Sequence, residues 1–150
     1  MEIDATVDML LAHKGSTKTW SVGPRATVFE AIKLMAEKNV GALLVTEGDA
    51  LVGIISERDY TRNVVLKGKS SRETPVKDII SSSKPIVASP GDNIVDCMRV
   101  MTEKRIRHLP VLDGDKILGV ISIGDLVNWT ISAQSAAIDQ LQKYISGEPG

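Results

Sequence analysis

The stretch that decides the fold is GIISERD at residues 53–59, which returns as GVISIGD at residues 119–125. Both copies share the pattern Gly-x-x-Ser-x-x-Asp. Superposing them shifts the chain by 66 residues and aligns 22–65 with 88–131 without a gap. Twelve of those 44 pairs are identical, whereas unrelated sequences of ordinary composition would share about three. The chain therefore contains a tandem duplication.

Each copy predicts the same order of elements, β-α-β-β-α. Apolar residues spaced by three and four predict the first helix, beginning at Val28 in one copy and Ile94 in the other. Two β-branched runs joined by a Gly-Asp turn predict a hairpin. The second helices should begin near Glu57 and Ile123. The predicted strands are 18–22, 42–46 and 51–56 in the first copy, and 85–88, 108–112 and 117–122 in the second.

These elements predict a mixed α/β (α+β) fold. One copy is too small to bury a good core, so we expect the two to pack sheet to sheet around a shared core, as one pseudo-two-fold module. Amphipathic helices should flank it, the first carrying Ile3, Val7, Leu10 and Leu11. The predicted organisation is an N-terminal helix at 1–14, the first repeat at 15–68, a linker with a short helix at 69–80, the second repeat at 81–131 and a C-terminal helical extension at 132–150.

The last helix is longer than the second repeat can cover. From Ile123 to Ser146 it would extend about 36 Å at 1.5 Å per residue. Its apolar residues, at near-heptad spacing, are Val127, Ile131, Ile138, Leu141 and Ile145. An apolar stripe of this kind on a monomer favours aggregation, so we expect at least a homodimer.

The composition excludes several classes of protein. The net charge of −1 argues against a nucleic-acid partner. The acidic start is unlike a signal peptide, and no apolar run approaches the ~20 residues of a membrane span, so we expect no membrane association and a cytoplasmic location. Cys97, His13 and His108 offer little material for a metal centre or a Cys–His nucleophile. We predict no catalytic residue and no catalytic cofactor.

The Ser-x-x-Asp pairs have two interpretations. A serine three residues before a carboxylate at a helix start is close to a capping box, which needs no ligand. The same junction presents free N–H groups and the positive end of a helix dipole to a phosphate, while an ionised aspartate suits ribose hydroxyls. Gly53 and Gly119 would leave room for a ligand, although a β-bulge explains them equally well.

The duplicated motifs resemble the cystathionine-β-synthase (CBS) domain, and the tandem resembles a CBS pair, or Bateman module. The resemblance covers about 14–131. It rests on the two Gly-x-x-Ser-x-x-Asp segments, on ALLV at 42–45 with HLPV at 108–111, and on the Gly-Asp turns. It implies clefts between the repeats that bind adenosine compounds: AMP, ADP, ATP, NAD(H) or S-adenosylmethionine.

The resemblance also implies roles for individual residues. Asp59 and Asp125 match ribose-binding aspartates, and Ser56 and Ser122 match hydroxyls on the phosphate side. Arg58 would supply a cation that Gly124 does not, and Arg105 and Arg107 would compensate in the second copy. The implied walls of the adenine slot are Ile54, Val120, Ala42, Leu43, His108 and Leu109. The positions that contact the base are Lys18, Thr19 and Trp20 in the first copy, and Pro85 and Ile86 in the second.

The sequence thus predicts a regulatory module that binds an adenine nucleotide and acts in trans on a protein effector. An NAD(H)- or S-adenosylmethionine-binding pair is one alternative. A structural dimerisation module without a physiological ligand is another, and a nucleotide hydrolase is a third.

Overall fold

The computed structural model describes residues 5–14, 18–81 and 84–146. It confirms the mixed α/β class and both repeats, with helix starts at Glu57 and Ile123 as predicted. The N-terminal helix begins at Val7, and Ile3 lies outside the described residues. The elements are α1 (Val7–Lys14), β1 (Ser21–Val22), α2 (Val28–Lys38), β2 (Ala42–Glu47), β3 (Ala50–Ser56), α3 (Glu57–Tyr60) with a π-helical turn at Thr61–Val65, a 3₁₀ turn at Val76–Asp78, α4 (Ile94–Lys104), β4 (His108–Asp113), β5 (Lys116–Ser122) and α5 (Ile123–Ser146).

The first helix of each repeat, α2 in one and α4 in the other, begins and ends in the same way. The Thr27 hydroxyl caps α2 by accepting from the Glu30 N–H at 3.1 Å, and the Asn93 side chain caps α4 by accepting from the Val95 N–H at 2.8 Å. Both helices end in a left-handed residue with φ of 54°. This shared geometry sets the angle at which β2 and β4 leave their helices.

The two hairpins have the same register. Ser56 pairs with Ala42 and Ser122 with His108, so each motif serine lies opposite the first residue of the preceding strand. In both hairpins the pairing register shifts just after the residue that pairs with the motif glycine. The shift lies between Val45 and Thr46 in the first hairpin and between Val111 and Leu112 in the second. The duplication is therefore preserved in the fine structure of both hairpins.

The predicted strand at 85–88 does not form; its only pairing among the described residues is a bridge from Ala88 to Val111. In the first repeat, β1 pairs with β2 partly through the Leu44 N–H, which donates to the Trp20 carbonyl at 3.0 Å. Pro110 replaces Leu44 in the second repeat and has no N–H to donate. The equivalent bond is impossible, and the strand is reduced to its last residue.

The buried residues form two clusters, one in each repeat, so the expectation of one shared core was wrong. The reason is an exchange of segments. Residues 5–11, here called the N-terminal strap, pack into the cluster of the second repeat. Residues 74–80, the linker strap, contribute Val76 and Ile79 to the cluster of the first. The segment that precedes the first repeat completes the core of the second, and the segment that precedes the second repeat completes the core of the first.

The two straps are held by matching backbone hydrogen bonds. The Val7 N–H donates to the Asp92 carbonyl at 2.9 Å, and the Val76 N–H donates to the Ala26 carbonyl at 2.8 Å. Val7 and Val76 are 69 residues apart, three more than the repeat shift. The pseudo-two-fold relation therefore includes the straps, although they align at a different sequence shift from the repeats.

The last helix, α5, has 24 residues, from Ile123 to Ser146 as predicted. Its start packs on the second repeat through Leu126, which is fully buried. Further along, Ile138 and Leu141 are 54% and 58% exposed. Within the described residues, no helix has both the length and the apolar character required to cross a membrane.

Candidate functional site

A cavity of about 330 Å³ lies between the two repeats. Its volume is at the lower end of the range for small-molecule sites, about 300–1,000 Å³. Both repeats and the end of α1 contribute to its wall, so neither repeat forms it alone. It is lined by Lys14, Lys18, Thr19, Trp20, Asn39, Val40, Gly41, Ala42, His108, Val120, Ser122 and Asp125.

One end of the cavity is the junction of β5 and α5. The Ser122 N–H donates to Asp125 Oδ2 at 2.8 Å, and the Asp125 N–H donates to Ser122 Oγ at 3.1 Å. This reciprocal pair is the capping box of the first interpretation. Within the described part of the chain, Asp125 Oδ1 accepts no hydrogen bond. Capping and ligand binding are therefore compatible, because capping uses one carboxylate oxygen and leaves the other.

Lys14 is the site residue that sequence reasoning missed. Its Nζ lies 2.9 Å from Asp125 Oδ2 and donates to the Val120 carbonyl, also at 2.9 Å. The Asp125 side chain is 21% exposed, so this ion pair is partly shielded from water. The sequence signal that could have found Lys14 is the shift of 69 residues, which aligns the N-terminal strap with the linker strap and so predicts that α1 packs on the second repeat.

His108 forms part of the wall where the repeats meet. A β-carbon built on Gly41 would lie 3.5 Å from His108 Cε1, so the ring lies directly against the backbone of the first repeat. Burial lowers the pKa of His108, and the charge of Lys14 adds to this effect while Asp125 opposes it. The neutral ring that results at pH 7 has one donor and one acceptor nitrogen, as a base edge requires.

Trp20 also lines the cavity, from the first repeat. Lys18 Nζ and Lys38 Nζ lie 4.8 and 4.4 Å from the centre of its ring, within the distance of a cation–π contact. Trp20 also packs against the buried cluster of the first repeat. Its ring is thus fixed in place beside the cavity.

The first motif has the same local geometry with different surroundings. Asp59 Oδ2 accepts from the Ser56 N–H at 2.8 Å, completing a capping box. Arg58 Nη1 donates to the Arg105 carbonyl at 2.8 Å, so this guanidinium joins the two repeats. The helix after this motif, α3, has only four residues before the π-helical turn.

The structure brings together eight of the predicted ligand residues around the cavity, namely Lys18, Thr19, Trp20, Ala42, His108, Val120, Ser122 and Asp125. Those that do not line it, and whose roles stay predictions, are Ile54, Ser56, Arg58, Asp59, Pro85, Ile86, Arg105 and Arg107.

Two of the residues predicted to line the adenine slot do not line the cavity. Leu43 and Leu109 are each 1% exposed and belong to the hydrophobic clusters, because side chains alternate along a strand and theirs point into the repeat. The room expected beside Gly53 is also filled. A β-carbon there would come within 2.7 Å of Ile80 Cδ1, so packing of the linker strap accounts for that glycine.

The described residues contain no group of three or more potential metal ligands. Cys97 is a free, buried thiol. Burial, followed by the charges of Asp92 and Asp96, raises its pKa to about 11. The thiol is therefore protonated at neutral pH and is a poor nucleophile.

Comparison with known proteins agrees with this architecture. The CBS domain model matches residues 16–66 and 76–132. The mitochondrial CBS domain-containing protein CBSX3 of Arabidopsis thaliana is 41% identical over 125 residues, which cover 81% of this chain and 61% of the relative. The chain thus matches somewhat less than two thirds of that protein.

Two solved structures are similar. A CBS-domain protein from Burkholderia ambifaria MC40-6 superposes with a TM-score of 0.82 at 47% identity, over 87% of this chain and 96% of the other. The CBS domain protein PAE2072 from Pyrobaculum aerophilum, solved in complex with AMP, superposes with a TM-score of 0.70 at 26% identity, over 81% and 89%. The match of the CBS domain model to both repeats shows that the chain belongs to the CBS-domain family.

Proposed function

We propose that this protein is a regulatory module that binds an adenosine nucleotide in the cavity between its repeats. The observation that carries the proposal is the convergence of Trp20, His108 and the Ser122–Asp125 junction on one cavity. An aromatic and apolar wall, a neutral histidine and a helix N-terminus suit, in turn, the base, its polar edge and a phosphate.

In this proposal each part of the nucleotide has a distinct partner. The adenine lies between Trp20 and the strand residues Ala42 and Val120. The Asp125 carboxylate accepts from the two vicinal ribose hydroxyls, one at Oδ1 and the other at Oδ2, which Lys14 also contacts. The phosphate faces the Ser122 hydroxyl and the first N–H groups of α5, a helix long enough to have a substantial dipole. Arg105 and Arg107 are proposed to add positive charge near this phosphate, while Arg58 would do so at the first motif.

AMP is the first ligand to test, because the related PAE2072 was solved with AMP. ADP, ATP, NAD(H) and S-adenosylmethionine share its adenosine part and are alternatives. We propose that the ligand is sensed rather than converted, and that the protein acts in trans on an effector in the cytoplasm. Such an effect requires the ligand to bind two arrangements of the module unequally.

A thermal-shift panel tests this function. At a ligand concentration 100 times the dissociation constant, folding is stabilised by about 2.7 kcal/mol, an increase of several degrees in Tm for a chain of this size. We expect this shift with AMP or another adenosine compound and no comparable shift with the matched guanosine compounds. An unchanged Tm across the whole adenosine panel would contradict the proposed function and favour a purely structural module.

We also propose that the protein self-associates through α5. The exposed apolar residues of this helix include Ile138, Leu141 and Ile145, which are 54%, 58% and 76% exposed. They recur at three- and four-residue spacing and so form a continuous stripe. A second copy of the same stripe is a self-complementary cover for it.

Leu141→Glu should convert the dimer to a monomer, because it places a charge in the proposed interface. Light scattering at micromolar concentration measures the mass. Gln140→Glu is the matched control, since it adds the same charge to the opposite face of α5 and should leave the dimer intact. A monomeric wild-type protein, or equal dissociation by both variants, would contradict this interface.

A further inference from the structure

We propose that Lys14 sets the ligand affinity of the cleft at Asp125 by acting as an internal competitor. The inference rests on the proposed function. The ammonium group of Lys14 is paired with Asp125, the carboxylate that is proposed to bind a nucleoside sugar. A sugar whose two hydroxyls bind both oxygens of this carboxylate must displace the ammonium group from Oδ2.

The contacts of Lys14 support a competing role. Its Nζ is held at 2.9 Å by Asp125 Oδ2 and at 2.9 Å by the Val120 carbonyl. One contact belongs to the start of α5 and the other to β5, so the ammonium group lies across the junction of these two elements. Both partners also line the cavity. The ammonium group therefore lies in the wall of the cavity, on the carboxylate that is proposed to bind the sugar.

The competitor can leave without unfolding α1. The helix is anchored separately, by Leu10 in the buried cluster and by an edge-to-face contact between His13 and Trp129, whose ring centres are 5.0 Å apart. Lys14 is the last residue of α1, and its side chain is 35% exposed. Its long, flexible side chain can turn into solvent while the strap stays in place.

The two clefts differ in this feature. At the shift of 69 residues that relates the straps, Lys14 aligns in the sequence with Ser83, which lies outside the described residues and carries no positive charge. Within the described residues, Asp59 has no ion pair, whereas Asp125 has one. Lys14 therefore gives the module one restrained cleft and makes the two sites unequal in affinity.

Calorimetric titration of Lys14→Met with adenosine and with AMP tests this inference. Each protein also carries Asp59→Ala, which removes the carboxylate of the other cleft. A partly exposed ion pair that must break costs a modest free energy, so we expect both ligands to bind roughly three- to tenfold more tightly than to the parent. Lys116→Met removes the same charge from an exposed strand end and should change neither affinity. Lys14→Arg retains a charge that can reach Asp125 and should stay close to the parent.

The adenosine arm distinguishes competition from phosphate binding. Weaker binding of AMP with unchanged binding of adenosine would overturn the inference, because Lys14 would then contact the phosphate. Unchanged affinity for both ligands would overturn it while leaving the proposed function intact. If neither ligand binds the parent or Lys14→Met, the proposed function and the competitor role both fail.

Discussion

Asp125→Ala should abolish the preference of the cavity for a ribose over a deoxyribose. The wild-type protein should bind AMP roughly ten- to a hundredfold more tightly than 2′-deoxy-AMP, because a hydrogen bond to a charged acceptor contributes about 1.5–3 kcal/mol. In the variant this ratio should approach one. The structural reason is Asp125 Oδ1, which accepts no hydrogen bond from the described residues, whereas Oδ2 already accepts from the Ser122 N–H. Calorimetric titration of both nucleotides measures the ratio.

Comparing ratios, and not single affinities, makes this test specific. Removing Asp125 also deprives α5 of a cap and Lys14 of its partner, but both effects apply equally to the two nucleotides. Asp139→Ala removes an exposed carboxylate further along the same helix and should preserve the wild-type ratio. A lower Tm with an unchanged ratio would mean that Asp125 is only a helix cap.

Leu10→Ala in the N-terminal strap should lower the free energy of unfolding by about 2–5 kcal/mol. Leu10 is 2% exposed and lies in the buried cluster of the second repeat. The loss is therefore that of a core residue, although Leu10 precedes the first repeat in the chain. Urea denaturation measures the change, and hydrogen exchange shows where it acts. Protection should fall first in α4, β4 and β5.

Met9→Ala is the matched control for Leu10→Ala. Met9 is the adjacent residue on α1 and is 47% exposed, so its truncation should change stability by no more than about 0.5 kcal/mol. If Leu10→Ala instead lowered protection mainly in the first repeat, the exchange of straps would be contradicted.

Local patterns predicted the elements well, because each is determined by its own residues. The helix from Ile123 to Ser146 follows from apolar spacing, and the hairpins follow from β-branched runs around Gly-Asp turns. The strand predicted at 85–88 failed for a reason outside that segment. Pro110, on the neighbouring strand, lacks the N–H that would have paired with it.

The site was predictable only in part, for the same reason. For the candidate site, the duplicated motif predicted Ser122 and Asp125, and the family resemblance added Trp20 and His108. Neither pattern distinguishes a side chain that lines a cavity from one that faces the core, so Leu43 and Leu109 were assigned to the wrong face. Lys14 carries no motif, and only the packing of α1 against the second repeat places it beside Asp125.

By itself, the sequence determined that this protein is a tandem repeat with two helix-start Ser–Asp pairs, because duplication and capping are encoded in short, contiguous patterns. Tertiary structure alone decided that the straps are exchanged, that two cores form instead of one, and that Lys14 is ion-paired with one of the two aspartates. These features depend on contacts between residues far apart in the sequence, such as Lys14 and Asp125, which are 111 positions apart. Such contacts form only when apolar surfaces from distant segments are buried together.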